Sequence, residues 1–106
     1  MAWIYLVTAG ILEVVWAFAM KQSDGFTRLG PTAITAVAMA ASVGFLALAL
    51  RTLPLGTAYT IWTGIGAVGA FLVGITVLGE EAGAARMLAA GLIGSGLVLM
   101  KLSSPG

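Results

Sequence analysis

The chain alternates between long apolar stretches and short polar turns. A helix needs about 20 mainly apolar residues to cross the hydrocarbon core of a bilayer. The sequence offers four such stretches, over residues 2–20, 32–50, 56–79 and 84–102. Because four spans consume about 80 residues, little chain is left for loops. We therefore expect an all-α integral membrane protein, with one four-helix transmembrane domain over residues 1–106.

The segments between the predicted spans carry signals that end and start helices. Residues 21–28 form a polar turn, and Gly30-Pro31 fits a helix start, because proline is tolerated in a first turn. Residues 51–54 contain an arginine and a proline, and residues 80–83, between the third and fourth spans, contain two glutamates. These three segments are the expected loops. Arg86 lies near the start of the fourth span.

Composition supports a membrane protein and excludes several classes of function. Hydrophobic residues make up 60% of the 106 residues and charged residues only 8%, against roughly 25% charged in soluble domains. Cysteine and histidine are absent, which excludes a disulfide framework, a thiol nucleophile, a Cys/His metal site and a catalytic triad. The formal charge of +1 argues against nucleic-acid binding. We expect no enzyme, cofactor or metal site.

Residues 17–19 (Ala-Phe-Ala) look like a signal-peptidase site after an apolar run. A signal peptide, however, starts with basic residues and has no acid in its apolar region. The first span has Glu13 inside it and no preceding lysine or arginine. We expect this span to be retained.

The loop charges give little preference for one orientation in the membrane. With four spans, Arg51 and Lys101 lie on one side, and Lys21, Arg28 and Arg86 lie on the other. Lysine and arginine favour the cytoplasmic side, but two against three is a weak bias. Both orientations of the chain are therefore compatible with the sequence, and so is a single orientation set by other means. Because four short helices can hardly enclose a pathway alone, we expect a homodimer, with an antiparallel one as an option.

Glu13 is the central candidate for function. A charged side chain in the middle of a span costs on the order of 3 kcal/mol on insertion scales. No lysine or arginine lies in the interior of any span to neutralise it. The missing partner is either a proton or a cation from outside the chain. The alternative is a protonated Glu13 that only bonds neighbouring helices.

Aromatic and small residues share helix faces with this acid or repeat its pattern on the third span. Helical spacing groups Gly10, Glu13 and Trp16 on the first span, and Tyr59, Trp62 and Gly66 on the third. Aromatic faces beside a carboxylate suit an organic cation, with up to about 2 kcal/mol of cation–π attraction. The alternative is the aromatic belt at the membrane surface. For Tyr59 neither interpretation is favoured. Trp16 and Trp62 lie deeper in their spans, which favours a pocket.

Ser42 and the glycines are the remaining candidates. Ser42, in the middle of the second span, either bonds its own helix or orients Glu13 or a substrate. Gly64 and Gly66 are candidates for a hinge in the third span. Small residues at fixed spacing let membrane helices approach closely. On that ground the fourth span is the candidate for dimer contact, through Gly91, Gly94 and Ser95.

Several motifs together indicate a family. They are residues 9–16 (AGILEVVW), 25–28 (GFTR), 54–66 (PLGTAYTIWTGIG) and 79–80 (GE). With them, the chain resembles the small multidrug resistance family along essentially its whole length. The resemblance implies a proton-coupled exporter of the cell (inner) membrane that works as an antiparallel dimer of dual-topology chains. It also implies one essential membrane glutamate per chain, which corresponds to Glu13.

Within the family, the sequence is similar to the subtype that exports guanidinium. Trp16, three residues after the acid, is typical of that subtype, as are Gly10, Ser42, Tyr59, Trp62 and Lys101. Guanidinium is planar and rich in N–H donors, which suits a carboxylate. The expected function is an antiporter in which Glu13 binds a proton or a guanidinyl cation competitively. The alternatives are a broader exporter of quaternary ammonium or polyaromatic cations, a passive cation channel, and a non-transporting accessory membrane subunit.

Overall fold

The computed structural model describes residues 1–104 and contains four α-helices in this part of the chain. They are α1 (Ala2–Gln22), α2 (Leu29–Ala49), α3 (Leu55–Thr76) and α4 (Ala84–Ser103). Each is long and apolar enough to cross a membrane. The expected all-α fold with four potential transmembrane helices is confirmed. The predicted domain runs to residue 106, so its last two residues lie outside the described residues.

The helices pack in an order that places α1 at the centre of the contacts. α1 packs against both α2 and α3, whereas α4 packs against α3. A small hydrophobic core joins the first three helices and the loop between α2 and α3; it consists of Leu6, Ala9, Leu46, Ala49, Leu53, Ala58 and Ile61. The first half of α1 therefore packs into this core through Leu6 and Ala9.

Glycines let α3 approach its neighbours closely. A Cβ atom added to Gly10 would lie 2.7 Å from Cγ2 of Ile65, so α1 and α3 touch through this glycine. On the other side of α3, a Cβ atom added to Gly64 would overlap the side chain of Leu97 from α4. Since lipid provides no hydrophobic force between helices, such close backbone packing is what holds them together.

The turn between α1 and α2 is tighter than the predicted loop of residues 21–28. α1 continues through Gln22, and residues 24–26 all have positive φ angles between 50° and 70°. Ser23 is fully buried and accepts a hydrogen bond from the backbone N–H of Phe26 (3.1 Å). α2 then begins at Leu29, three residues before the predicted span. Proline is compatible with this first turn, since the N–H groups there have no helical partner.

The C-terminal end of α3 turns back on itself. The helix ends at Thr76, three residues before the predicted end of the third span at residue 79. Gly79 has a φ angle of 69°, a left-handed conformation that favours glycine. This turn lets the N–H of Glu80 donate to the carbonyl of Gly74 (2.9 Å). The helix therefore stops because the chain reverses at Gly79, although the residues before it are still apolar.

α4 lies at the edge of the structure and has no buried residue. Its large apolar side chains, among them Leu88, Leu92 and Val98, are exposed. Its clearest link to α1 is the ammonium group of Lys101, which lies 4.5 Å from the centroid of the Trp3 ring. The outer face of α4 is thus available for contact with lipid or another chain.

The contact at Gly64 can be tested by Gly64→Ala. We expect the free energy of unfolding to fall by about 1–3 kcal/mol, because the added methyl group pushes Leu97 out of its place. The measurement is unfolding in mixed micelles with increasing sodium dodecyl sulfate. Gly56→Ala is the matched control in the same helix, since its methyl group would meet no other atom and should stabilise the helix slightly. Equal stability of the two variants would contradict the close approach of α3 and α4.

Candidate functional site

Glu13 lies in the middle of α1 and its carboxyl group faces α3. The residue is partly buried, and its carboxyl packs against the backbone of Gly66. A Cβ atom at Gly66 would overlap Oε1 of Glu13, so only glycine at position 66 leaves room for the carboxyl group in this position. The predicted hinge glycine is therefore a contact of the acid itself.

The carboxyl oxygen Oε1 of Glu13 is buried and has no hydrogen-bond partner among residues 1–104. An ionised carboxylate taken out of water without a partner costs several kcal/mol. A bare carboxylate at this place is therefore disfavoured relative to a neutral group or one paired with a cation. No group of three or more acidic, histidine or cysteine residues within the same 104 residues is placed to hold a metal ion.

Ser42 connects three helices at the same level. Its side chain is fully buried; the hydroxyl donates to the carbonyl of Ala9 in α1 (2.7 Å) and accepts from Nε1 of Trp62 in α3 (3.0 Å). These bonds go to neighbouring helices and not to a carbonyl of Ser42's own helix, which was one of the two predicted alternatives. The other alternative, that Ser42 orients Glu13 or a substrate, stays a prediction. Since Ala9 lies one turn before Glu13, Ser42 positions the backbone of the helix that carries the acid.

Tyr59 and Trp62 form an aromatic pair on α3. Their ring centroids are 5.4 Å apart and the ring planes are inclined by 59°. Tyr59 is 53% exposed, and its hydroxyl group makes no hydrogen bond to Glu13 within the described part of the chain. Trp62 lies one turn before Gly66, which contacts the acid. Trp62 therefore lies within one turn of the residue that contacts the acid, and Tyr59 is exposed.

Gly10 and Trp16 flank Glu13 on α1. The space left by the missing side chain of Gly10 is occupied by Ile65, so this glycine serves helix packing next to the acid. Trp16 is partly buried, and its indole Nε1 is buried with no hydrogen-bond partner in residues 1–104. Trp16 lies one turn from Glu13. This part of α1 therefore carries two buried polar atoms without a hydrogen-bond partner, one from each side chain.

The predicted hinge and dimer residues have different surroundings. Gly64 and Gly66 are buried against Leu97 and Glu13 respectively. On α4, Gly91 and Ser95 are exposed and Gly94 is partly exposed. The α4 residues are thus at the surface of the single chain, whereas the α3 glycines are inside it.

Two contacts near the site were not predicted from the sequence. One is the approach of Gly66 to Glu13, and the other is the bond between Ser42 and the carbonyl of Ala9. The first had a signal in the small-residue series Gly66, Ala70 and Gly74 at intervals of four. The second had none, because any backbone carbonyl can accept a hydrogen bond.

Replacing Ser42 by alanine tests the connection of the three helices. We expect Ser42→Ala to lower the free energy of unfolding by about 1–3 kcal/mol, because the buried N–H of Trp62 loses its acceptor. The indole N–H resonance of Trp62 should shift in the same variant. Thr76→Ala is the control: its exposed hydroxyl bonds only Leu72 in its own helix, so little stability should be lost. An unchanged Trp62 resonance in Ser42→Ala would exclude the proposed hydrogen bond.

Comparison with known proteins identifies the family. The family model described as "Small Multidrug Resistance protein" matches residues 1–93. Proteins named "Guanidinium exporter" from Yersinia pseudotuberculosis serotype I and Citrobacter freundii are 60% and 57% identical to the chain over 104 residues. These alignments cover 98% of the chain and 100% and 99% of the two relatives. The names of these relatives are those of transporters.

The matched region includes α1, α2, α3 and half of α4, with Glu13 and all the pocket candidates. The family resemblance seen in the sequence is confirmed. Together with four helices long enough to span a bilayer, it makes this a multi-pass membrane protein, located in bacteria in the inner membrane. The chain belongs to the small multidrug resistance family.

Proposed function

We propose that this protein exports guanidinium or a small guanidinyl cation in exchange for protons, and that Glu13 binds both. The observation that carries the proposal is the buried Oε1 atom of Glu13, which has no hydrogen-bond partner among residues 1–104. The names of the relatives support the substrate, since proteins 57–60% identical to the chain are called guanidinium exporters.

The chemistry of the site suits a guanidinyl cation. Guanidinium is planar and presents several N–H donors, so it can make two parallel hydrogen bonds to one carboxylate. Trp16 lies one turn from Glu13, and Trp62 one turn from Gly66, so each of the two helices carries a tryptophan within one turn of the contact between Glu13 and Gly66. Indole faces attract a desolvated cation by up to about 2 kcal/mol. The bulk of Trp16 also disfavours large polyaromatic cations.

Coupling follows from competition for one carboxyl group. A protonated Glu13 is neutral and has no charge to offer a cation, whereas an ionised Glu13 binds one. If the protein switches between inward-facing and outward-facing states only when Glu13 holds a proton or a cation, each cation that leaves the cell is exchanged for protons that enter. Gly64 and Gly66 are the proposed hinge, because bending α3 there moves Trp62 relative to the carboxyl group that rests on Gly66.

The proposed working unit is a homodimer of two chains in opposite orientations. The outer face of α4 has no buried residue and carries Gly91, Gly94 and Ser95, where a Cβ atom on either glycine would meet nothing. Small residues at this spacing allow a second α4 to approach closely. In such a dimer two Glu13 side chains, one from each chain, serve the transport pathway.

The orientation of the chain can be measured with reporters fused to its C-terminus. If the loop charges leave orientation undecided, a reporter active only in the cytoplasm and one active only outside the inner membrane both give signal. Lys21→Gln and Arg28→Gln together remove two of the three positive charges on one side and should shift the population toward one orientation. Signal from only one reporter in the original chain would contradict the dual topology.

Replacing Glu13 tests the transport proposal directly. Proteoliposomes that contain the purified protein and are more acidic inside than outside should take up guanidinium. Protons should leave the liposomes at the same time. Glu13→Gln should reduce both movements to the level of protein-free liposomes, because the amide cannot exchange a proton for a cation. Glu81→Gln, in the exposed loop after α3, is the matched control and should retain both.

The same assay separates the alternatives. A tetraalkylammonium ion should be transported far less well than guanidinium, and equal transport would favour a broad cation exporter. Guanidinium flux without proton movement would indicate a passive channel. A purified chain that moves neither guanidinium nor protons would indicate an accessory subunit. If the Glu13→Gln variant still exchanges guanidinium for protons, Glu13 is excluded as the shared site.

A further inference from the structure

A second carboxyl group, that of Glu80, lies on the same side of α3 as Glu13. The loop after α3 reverses at Gly79, and the N–H of Glu80 donates to the carbonyl of Gly74 (2.9 Å). The carboxyl group of Glu80 then packs on Gly74: a Cβ atom at this glycine would overlap Oε1 of Glu80. Although Glu80 is an exposed loop residue, the backbone turn gives it a defined place.

The two acids rest on one row of small residues. Gly66 contacts Glu13 and Gly74 contacts Glu80, and Ala70 lies midway between the two glycines. Residues four and eight positions apart lie close to one face of a helix, and eight residues span about 12 Å along its axis. The same face of α3 thus carries a carboxyl group at its middle and another at its C-terminal end.

A crevice of about 190 Å³ lies between α1 and α3 at the Glu80 end of this row. Glu80, Gly74 and Ala70 line it from the α3 side, and Val14 and Ala17 are among the residues that line it from α1. Val14 follows Glu13 in the chain, and Ala17 is one turn beyond Glu13. The volume is several times the roughly 30 Å³ that a water molecule occupies in the liquid.

The electrostatics at Glu80 favour a cation. The C-terminal end of a helix carries about half a negative charge, so a carboxylate there is repelled and a cation is attracted. The nearest basic residue in the sequence, Arg86, is engaged elsewhere: it donates to the carbonyl of Glu81 (3.4 Å) and lies 5.9 Å from the centroid of the Phe71 ring. The negative charges of Glu80 and of the α3 terminus therefore add.

We propose that Glu80 and this crevice form a second, outer binding site for a small organic cation, which guanidinium occupies on its way to or from Glu13. The inference rests on the proposed transport of such cations. It extends the function of the site to a residue outside the membrane interior, where a charge raises the local concentration of substrate and the rate of association.

A purely structural role for Glu80 predicts a different behaviour. The bond that closes the turn comes from the backbone N–H of residue 80, which glutamine also provides. Glu80→Gln keeps nearly the same shape and removes only the charge. A structural residue would therefore tolerate this change, whereas an outer cation site would lose its attraction for the substrate.

The first test compares Glu80→Gln with Glu81→Gln in the proteoliposome assay. Glu80→Gln should raise the KM for guanidinium about three- to tenfold at low salt and leave the maximal rate within about twofold, because the charge acts on capture. The difference should shrink at high salt, since ions screen an exposed charge. Glu81→Gln should keep the original KM. An unchanged KM in Glu80→Gln, or a loss confined to the maximal rate, would overturn the proposal.

The second test is independent of transport. In Glu13→Gln, titration with guanidinium should still shift the amide NMR signals of Gly74 and Glu80, and the shifts should vanish in the double variant with Glu80→Gln. The double variant with Glu81→Gln should retain them. Absence of these shifts in Glu13→Gln overturns the outer site even if the original protein transports guanidinium. Their presence supports the outer site even if transport is absent, in which case only the proposed function fails.

Discussion

The packing of the Glu13 carboxyl group against the backbone of Gly66 is the contact on which the rest of the site depends. It places a carboxyl oxygen in the interior with no hydrogen-bond partner among residues 1–104. A carboxylate in such surroundings is costly unless a proton or a cation neutralises it. The close approach of α1 and α3 thus leaves a carboxyl oxygen without a protein partner, and the proposed exchange of a proton for a cation starts from this oxygen.

The surrounding contacts fix the position of α1 relative to α3. The hydroxyl of Ser42 joins the carbonyl of Ala9 to the indole of Trp62, so all three inner helices meet one turn from the acid. Ile65 fills the space at Gly10 on the same interface. By contrast, α4 contributes no buried residue and touches mainly α3. The chain therefore combines a packed group of three helices with a fourth whose surface is exposed in the single chain.

Much of this protein could be predicted from apolar length and from the position of one acid. Four helices follow from four stretches of about 20 apolar residues, because no other backbone arrangement of such a chain satisfies its polar groups in lipid. The start of α2 and the end of α3 were harder to predict from the sequence. α2 starts at Leu29 because proline fits inside a first turn, and α3 stops at Thr76 because Gly79 reverses the chain while the sequence is still apolar.

The sequence by itself determined that a carboxylic acid would lie in a membrane helix without a basic partner, since composition and spacing settle both facts. Only the tertiary structure decided which atoms surround that acid. Gly66 contacts Glu13, Ser42 bonds Ala9, and Glu80 reaches Gly74 through packing between helices and through a chain reversal. Helical periodicity specifies the faces of one helix, whereas the choice of neighbour depends on how closely backbones approach, and that is a property of the folded chain.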